Sequence, residues 1–154
     1  GLTPSVNYKG FDLSLFFQGS AQSSISVRQF LTVPFGNNGS NTGYEYYDNR
    51  WTPENQGAKY PRSTPSPYAN NTKDSDFWWM NSSYIRLKTV SLGYTLPKPV
   101  LEKLKLGNAR IYIISQNLFT ASKIKHIDPE MGYTDRETAY PVMKTTTLGI
   151  DISF

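Results

Sequence analysis

Along the first eight residues, apolar side chains fall on every second position: Leu2, Pro4, Val6 and Tyr8 alternate with Thr3, Ser5 and Asn7. That period of two predicts a strand over 2–8. Lys9-Gly10 reads as a tight turn, and Phe11, Leu13, Leu15 and Phe17 then alternate with Asp12, Ser14, Phe16 and Gln18. The two segments form a predicted β-hairpin, its second strand over 11–18. Alternation returns over 84–96. Tyr84, Arg86, Lys88, Val90, Leu92, Tyr94 and Leu96 share one parity there, and Thr89, Ser91, Gly93 and Thr95 the other. Pro97 opens and Gly107 closes a segment with Leu101 and Leu104 on one side, which predicts a helix of one or two turns. A fourth strand spans 109–117, but Ile111-Tyr112-Ile113-Ile114 is apolar at both parities, so its facing is ambiguous. The last strand, 142–154, sets Leu148, Ile150, Ile152 and Phe154 against Thr147, Gly149, Asp151 and Ser153.

These five strands are joined by connections of about 2, 65, 12 and 24 residues, within the tolerance of such boundaries. Short and long connections alternate. A soluble sandwich has equally wet ends and no reason for this, whereas an outer-membrane barrel has short periplasmic turns and long extracellular loops. The fold class expected is therefore all-β: a transmembrane antiparallel β-barrel segment with extracellular loops at about 19–76 and 119–141. Strand parity then puts the C-terminus in the periplasm. A carboxylate facing hydrocarbon is costly, so Asp12 and Asp151 are expected to face a polar lumen. Tyr94 and Phe154 fall where an aromatic girdle meets the periplasmic interface, and Phe77-Trp78-Trp79 where the outer belt lies. Arg86, Lys88 and Lys144 are placed by parity on the lipid side, toward the extracellular strand ends.

Composition narrows the chemistry. The 154 residues include 22 aromatic side chains, no cysteine and one histidine, His126. Disulfides, thiolate nucleophiles, Cys-type zinc sites and multi-His metal sites are excluded. The mean hydropathy of −0.50 does not argue against a membrane barrel, because only alternate residues need be apolar. His126 sits near Asp128 and Glu130, too few ligands for a calcium cage. No catalytic triad, phosphate loop or paired glycosidase carboxylates stand out, so the chain reads as a non-enzyme without a cofactor or metal. The net charge of +4 is dispersed from Lys9 to Lys144 rather than concentrated in a nucleic-acid-binding patch. Tyr44, Tyr46, Tyr47 and Trp51, in the long loop, can stack on sugar rings or pack on a partner protein. They can equally form the loop's own small core. The opening Gly1-Leu2-Thr3, without Met or leader, reads as an internal start within a longer protein.

Several ordered motifs resemble the C-terminal region of SusC/RagA-type TonB-dependent transporters. They are Arg50-Trp51-Thr52-Pro53-Glu54-Asn55, Ala58-Lys59-Tyr60-Pro61-Arg62, Asn81 through Pro97, Ile111 through Thr120, Asp128-Pro129-Glu130 and Leu148 through Phe154. The resemblance implies the last five strands of a 22-stranded, plugged outer-membrane barrel, with the plug domain outside this chain. It also implies a SusD-like surface lipoprotein as lid, energy delivered through TonB, and import of oligosaccharides or peptides. Phe154 becomes the terminal aromatic read as a barrel assembly signal. The other class left open is a surface-binding or structural outer-membrane β-protein that does not transport.

Overall fold

The computed structural model describes residues 1–27, 43–63, 70–71, 73–125, 127–131, 140 and 142–154. Among them lie seven strands: β1 (Ser5–Tyr8), β2 (Phe11–Ser20), β3 (Ser24–Ser26), β4 (Trp79–Asn81), β5 (Tyr84–Thr95), β6 (Asn108–Ser122) and β7 (Thr145–Ser153). Two short α-helices, α1 (Tyr44–Asn49) and α2 (Lys98–Leu104), and a 3-10 turn at Asp76–Trp78 complete the described elements. The chain divides into two units, residues 1–21, 83–123 and 139–154, and residues 22–82 and 124–138.

The first unit is one antiparallel sheet in the order β1-β2-β5-β6-β7. Its hairpin closes at Lys9-Gly10, both at positive φ (47° and 87°), as the primed turns that match strand twist require. Glycine has a second reason to stand at position 10. A Cβ there would lie 2.8 Å from the Thr95 carbonyl, while the Gly10 carbonyl accepts the Thr95 N–H at 2.8 Å. At the β5–β6 connection, α2 carries Pro99 in its first turn and ends at Lys105 in the left-handed conformation (φ 57°). The Leu106 N–H donates to the Leu101 carbonyl at 3.0 Å, a Schellman-type closure on lysine rather than on Gly107. Leu101 is buried there, but Leu104 is exposed, so the two do not share a buried side.

Register resolves the two faces. On one, Val6 and Tyr8, Leu13 and Leu15, Val90, Leu92 and Tyr94, Ala109, Ile111 and Ile113, and Leu148, Ile150 and Ile152 lie side by side across the strands. This face is apolar and largely exposed. The Phe11 and Tyr94 rings meet on it at 4.5 Å. The opposite face carries Asn7, Asp12, Ser14, Ser91, Gly93, Arg110, Tyr112, Gln116, Thr147, Gly149 and Asp151. The ambiguous fourth strand thus turns Ile111 and Ile113 one way and Arg110, Tyr112 and Ile114 the other. It also runs on to Ser122, past the expected end at Asn117, while β7 starts at Thr145, later than 142.

One expectation fails. Phe16 pairs with Thr89 but Phe17 with Leu87, so Lys88 is an extra residue in β5. Counting through it inverts the parity of everything before. Arg86 therefore lies opposite Gln18 and Thr120 on the polar face, not on the apolar one. It is only 3% exposed, and its Nε donates to Thr120 Oγ1 at 2.9 Å. Lys88 stands in the bulge, outside the ladder, and Lys144 precedes β7.

The two faces of β7 should respond oppositely to substitution. With hydrocarbon against the apolar face, Ile150→Arg should cost about 2–4 kcal/mol near the bilayer midplane. Asp151→Asn, on the polar face, should leave folding unchanged. The heat-resistant folded fraction in detergent reads both; equal tolerance would shift the register by one residue.

Candidate functional site

The second unit is built around aromatic rings. The N–H groups of Tyr46 and Tyr47 donate to the Gly43 carbonyl at 3.1 Å, which starts α1. After the helix, the chain runs beside 59–61, with Trp51 N–H donating to Tyr60 O at 2.8 Å and Tyr60 N–H to Asn49 O at 2.9 Å. Between these segments, Thr52-Pro53-Glu54-Asn55 forms a turn, its Asn55 N–H donating to Thr52 O at 3.0 Å and Thr52 Oγ1 at 3.1 Å. Pro53 at the second position suits that turn. The pairing brings Tyr46 and Tyr60 to 5.7 Å and Tyr60 onto Trp78 at 6.4 Å, nearly parallel. Ile25, Val27 and Ile124 close the core, and β3 pairs with β4 beside it.

Burial raises the pKa of both phenols, Tyr46 and Tyr60. Each hydroxyl has a partner: Tyr46 donates to Pro61 O at 2.9 Å, and Tyr60 to Glu45 Oε1 at 3.1 Å. The Lys59 ammonium lies 3.4 Å from the same carboxylate oxygen and 4.7 Å above the Tyr60 ring. The Tyr60 phenol first, then Glu45, hold it protonated beyond the usual lysine range.

The four aromatic candidates therefore part company. Tyr46, 2% exposed, is a core residue and offers no surface to a ligand or partner. Trp78, expected in an outer aromatic belt, is buried in the same core, because its ring is clamped by Tyr60 and by the edge of Phe77 at 4.7 Å. Tyr44 is 84% exposed, and Tyr47 and Trp51 are also accessible. The Arg50 guanidinium lies 3.9 Å over the Tyr47 ring and donates to the Tyr47 carbonyl. Trp51 and Phe77 flank an open cleft of about 420 Å³. Asp128 Oδ1 accepts the Glu130 N–H at 2.9 Å, which fixes a turn. His126 lies outside the described residues.

On the polar face of the sheet, Asp12 is held by the Arg110 guanidinium, and Asp151 lies opposite Arg110 on the next strand. Arg110 grips Asp12 through Nε–Oδ1 at 3.0 Å and Nη2–Oδ2 at 2.6 Å, and it is the register partner of Asp151. The grip spans β5, which lies between their strands, and passes over Gly93. A Cβ at Gly93 would sit 2.5 Å from Asp12 Oδ1. One strand on, the Tyr112 ring lies across Gly149, where any side chain would collide with it. Arg110 stands 5.0 Å from that ring. At the C-terminus, Phe154 is 97% exposed.

Over its whole length the chain is 30% identical to TonB-dependent receptor P3 of Formosa agariphila, of which it spans 16%. It is 26% identical, again over its whole length, to the TonB-dependent receptor SusC of Bacteroides thetaiotaomicron, spanning 15% of it. Among solved structures, the RagAB peptide importer in its closed-closed state superposes with a TM-score of 0.67 at 26% identity, over 99% of this chain and 17% of that one. The chain belongs to the SusC/RagA-type TonB-dependent receptors. No family model matches it. The proteins it matches here are receptors and importers.

Within this SusC/RagA-type segment, sequence reasoning missed Arg110 because it sits inside an apolar run. The signal was there: a cation at the parity of Asp151 and two carboxylates on one sheet face favour each other. It also missed Gly93 and Gly149, whose role shows only from the side chains that cross them. Tyr46→Ala should remove about 3–5 kcal/mol from the second unit, the scale for truncating a buried aromatic. Tyr44→Ala should be neutral. Limited proteolysis within 43–63 checks both; equal protection would mean that Tyr46 is not a core residue.

Proposed function

We propose that this chain supplies the C-terminal wall strands and part of the extracellular mouth of a TonB-dependent outer-membrane transporter, one that imports oligosaccharides or peptides together with a SusD-like surface lipoprotein. The observation that carries this reading is a sheet with one continuous apolar face and one polar face, in a chain aligned end to end with TonB-dependent receptors. Lipid covers the apolar face, and the polar face lines the lumen, where Asp12, Asp151, Arg110 and Arg86 are solvated or paired. Tyr8, Phe11, Tyr94 and Phe154 lie at the end where the short connections are and form the periplasmic girdle. The long connections, β2 to β5 and β6 to β7, are then extracellular, and the C-terminus is periplasmic.

A wide barrel must be plugged and its opening driven, so the plug and the contact with TonB belong to other parts of the protein. The present residues supply wall, mouth and docking surface. Tyr44, Tyr47 and Trp51 are the residues assigned to substrate or lid contact, because flat rings lose little entropy on stacking. The RagAB likeness supports a peptide as cargo; the chemistry of the mouth also suits a glycan.

Tyr44→Ala, Tyr47→Ala and Trp51→Ala together should leave barrel insertion intact but impair growth on the cognate oligomer or release the lid lipoprotein. If growth and lid association are both unchanged, the recognition surface is misplaced; if uptake survives loss of TonB, the transporter reading itself fails. Deleting Phe154 should lower the amount of protein in the outer membrane, as quantified by immunoblot. Unchanged levels would make it merely one more lipid-facing side chain.

A further inference from the structure

One end of the five-stranded sheet sets cations beside exposed apolar side chains. Two connections turn there, Lys9-Gly10 and the stretch 96–107 that holds α2, since Phe11 and Tyr94 are register partners. These turns carry Lys9, Lys98, Lys103 and Lys105 against a single carboxylate, Glu102, and all five side chains are exposed. No ion pair among the described residues involves any of the four lysines. The carboxylates of the adjoining strands, Asp12 and Asp151, lie on the polar face with Arg110.

Helix α2 is held in place yet leaves apolar surface uncovered. Leu101 and Ala109 are the only buried apolar side chains of the sheet unit among the described residues, and both belong to this end. The Leu96 N–H donates to the Ala109 carbonyl at 2.9 Å and the Gly107 N–H to the Ser153 carbonyl at 2.8 Å, tying the connection to the sheet on both sides of the helix. Val100 and Leu104, four residues apart and therefore on one helical face, remain 39% and 56% exposed. The helix dipole accounts for Lys103 and Lys105 near its C-terminus, but not for that exposed pair or for Lys98. Lys9 and Lys105 also occupy positive φ (47° and 57°), where glycine is less strained.

We propose that α2, together with Lys9, anchors anionic phospholipid of the membrane leaflet at this end of the sheet. Val100 and Leu104 enter the acyl boundary, and Lys98, Lys103 and Lys105 meet the headgroup phosphates. The setting rests on the membrane-barrel reading. Continuity favours lipid over a protein partner, because the apolar sheet face ends at Tyr8, Phe11 and Tyr94, next to these turns.

The test uses the full-length transporter in nanodiscs of phosphatidylcholine with a minority of phosphatidylglycerol. In a background free of other cysteines, Val100→Cys or Ile150→Cys carries a bimane label, and brominated acyl chains on one lipid or the other quench it. Per mole of lipid, phosphatidylglycerol should quench the label at 100 about fivefold more than phosphatidylcholine, the scale of one lysine at an anionic surface. High salt should erase this preference. Lys98→Gln with Lys103→Gln should abolish it, and Glu102→Gln should enlarge it. Leu104→Ser should weaken quenching by both lipids alike. The label at 150 should be quenched without preference. The heat-resistant folded fraction controls each variant, and the salt titration reads the same charge dependence without a substitution.

An unquenched label at 100 beside a quenched one at 150 leaves α2 facing water or a protein and overturns the anchor. Equal quenching by both lipids overturns it too, as does a preference that survives salt or a folded lysine variant. An unquenched label at 150 overturns the membrane-barrel reading, while selective quenching at 100 still supports the anchor.

Discussion

A sheet with one apolar and one polar face depends on every strand keeping the same side chains on the same side across its neighbours, since a slip of one residue turns a whole strand over. Here that alignment is maintained through an irregularity. Between Phe16 and Phe17 the second strand has no extra residue, the fifth has Lys88, and the sixth has Asn117 and Leu118. The insertions grow by one from strand to strand, so each strand resumes alternation in phase with the next. Asn117 takes φ 54°, a left-handed conformation that asparagine adopts more readily than most residues. Without this absorption, Arg86 would fall on the apolar face, opposite Gly19 and Phe119, instead of beside Thr120.

Toward its short-connection end, the polar face is organised by Arg110. Arg110 draws together a carboxylate two strands away and faces another on the adjacent strand, and the backbone under its path is glycine. The Asp12–Arg110 pair is thus satisfied without deep burial, at 35% and 28% side-chain exposure. Exposure to solvent keeps the strength of such a pair modest; its main effect is to hold β2, β5 and β6 at a fixed spacing and orientation.

Much of this was legible in the residues. The Lys9-Gly10 turn, the β2 alternation and the proline-opened α2 are local signals, each fixed by backbone sterics within a few residues. The Lys88 bulge was not legible, because parity counted along a single strand has no reference until a neighbour supplies register. Nor was the separation of Phe77, Trp78 and Trp79. Three consecutive aromatics look alike in sequence, and only Tyr60, brought up by its pairing with 49–51, selects which ring is enclosed. Tyr46 and Tyr47 differ for the same reason: adjacent positions on a helix point a hundred degrees or so apart, so one enters the core and the other does not. Asp12 and Asp151 could be assigned to a face by alternation, while Arg110, which grips Asp12 and faces Asp151 but is hidden among isoleucines, required the sheet order.

The aromatic core of the second unit draws all its described members from residues 22–82 and 124–138, and none from the five-stranded sheet. Its cohesion is therefore self-contained, and the side chains outside that core are free to diverge. In the proposed importer, exposed Tyr44, Tyr47 and Trp51 can be recast while the five-stranded ladder stays under its own separate constraints. In a protein of the proposed kind, the connection after β2 would therefore change only in step with the one after β6, because Ile124 of the second closes the core built by the first.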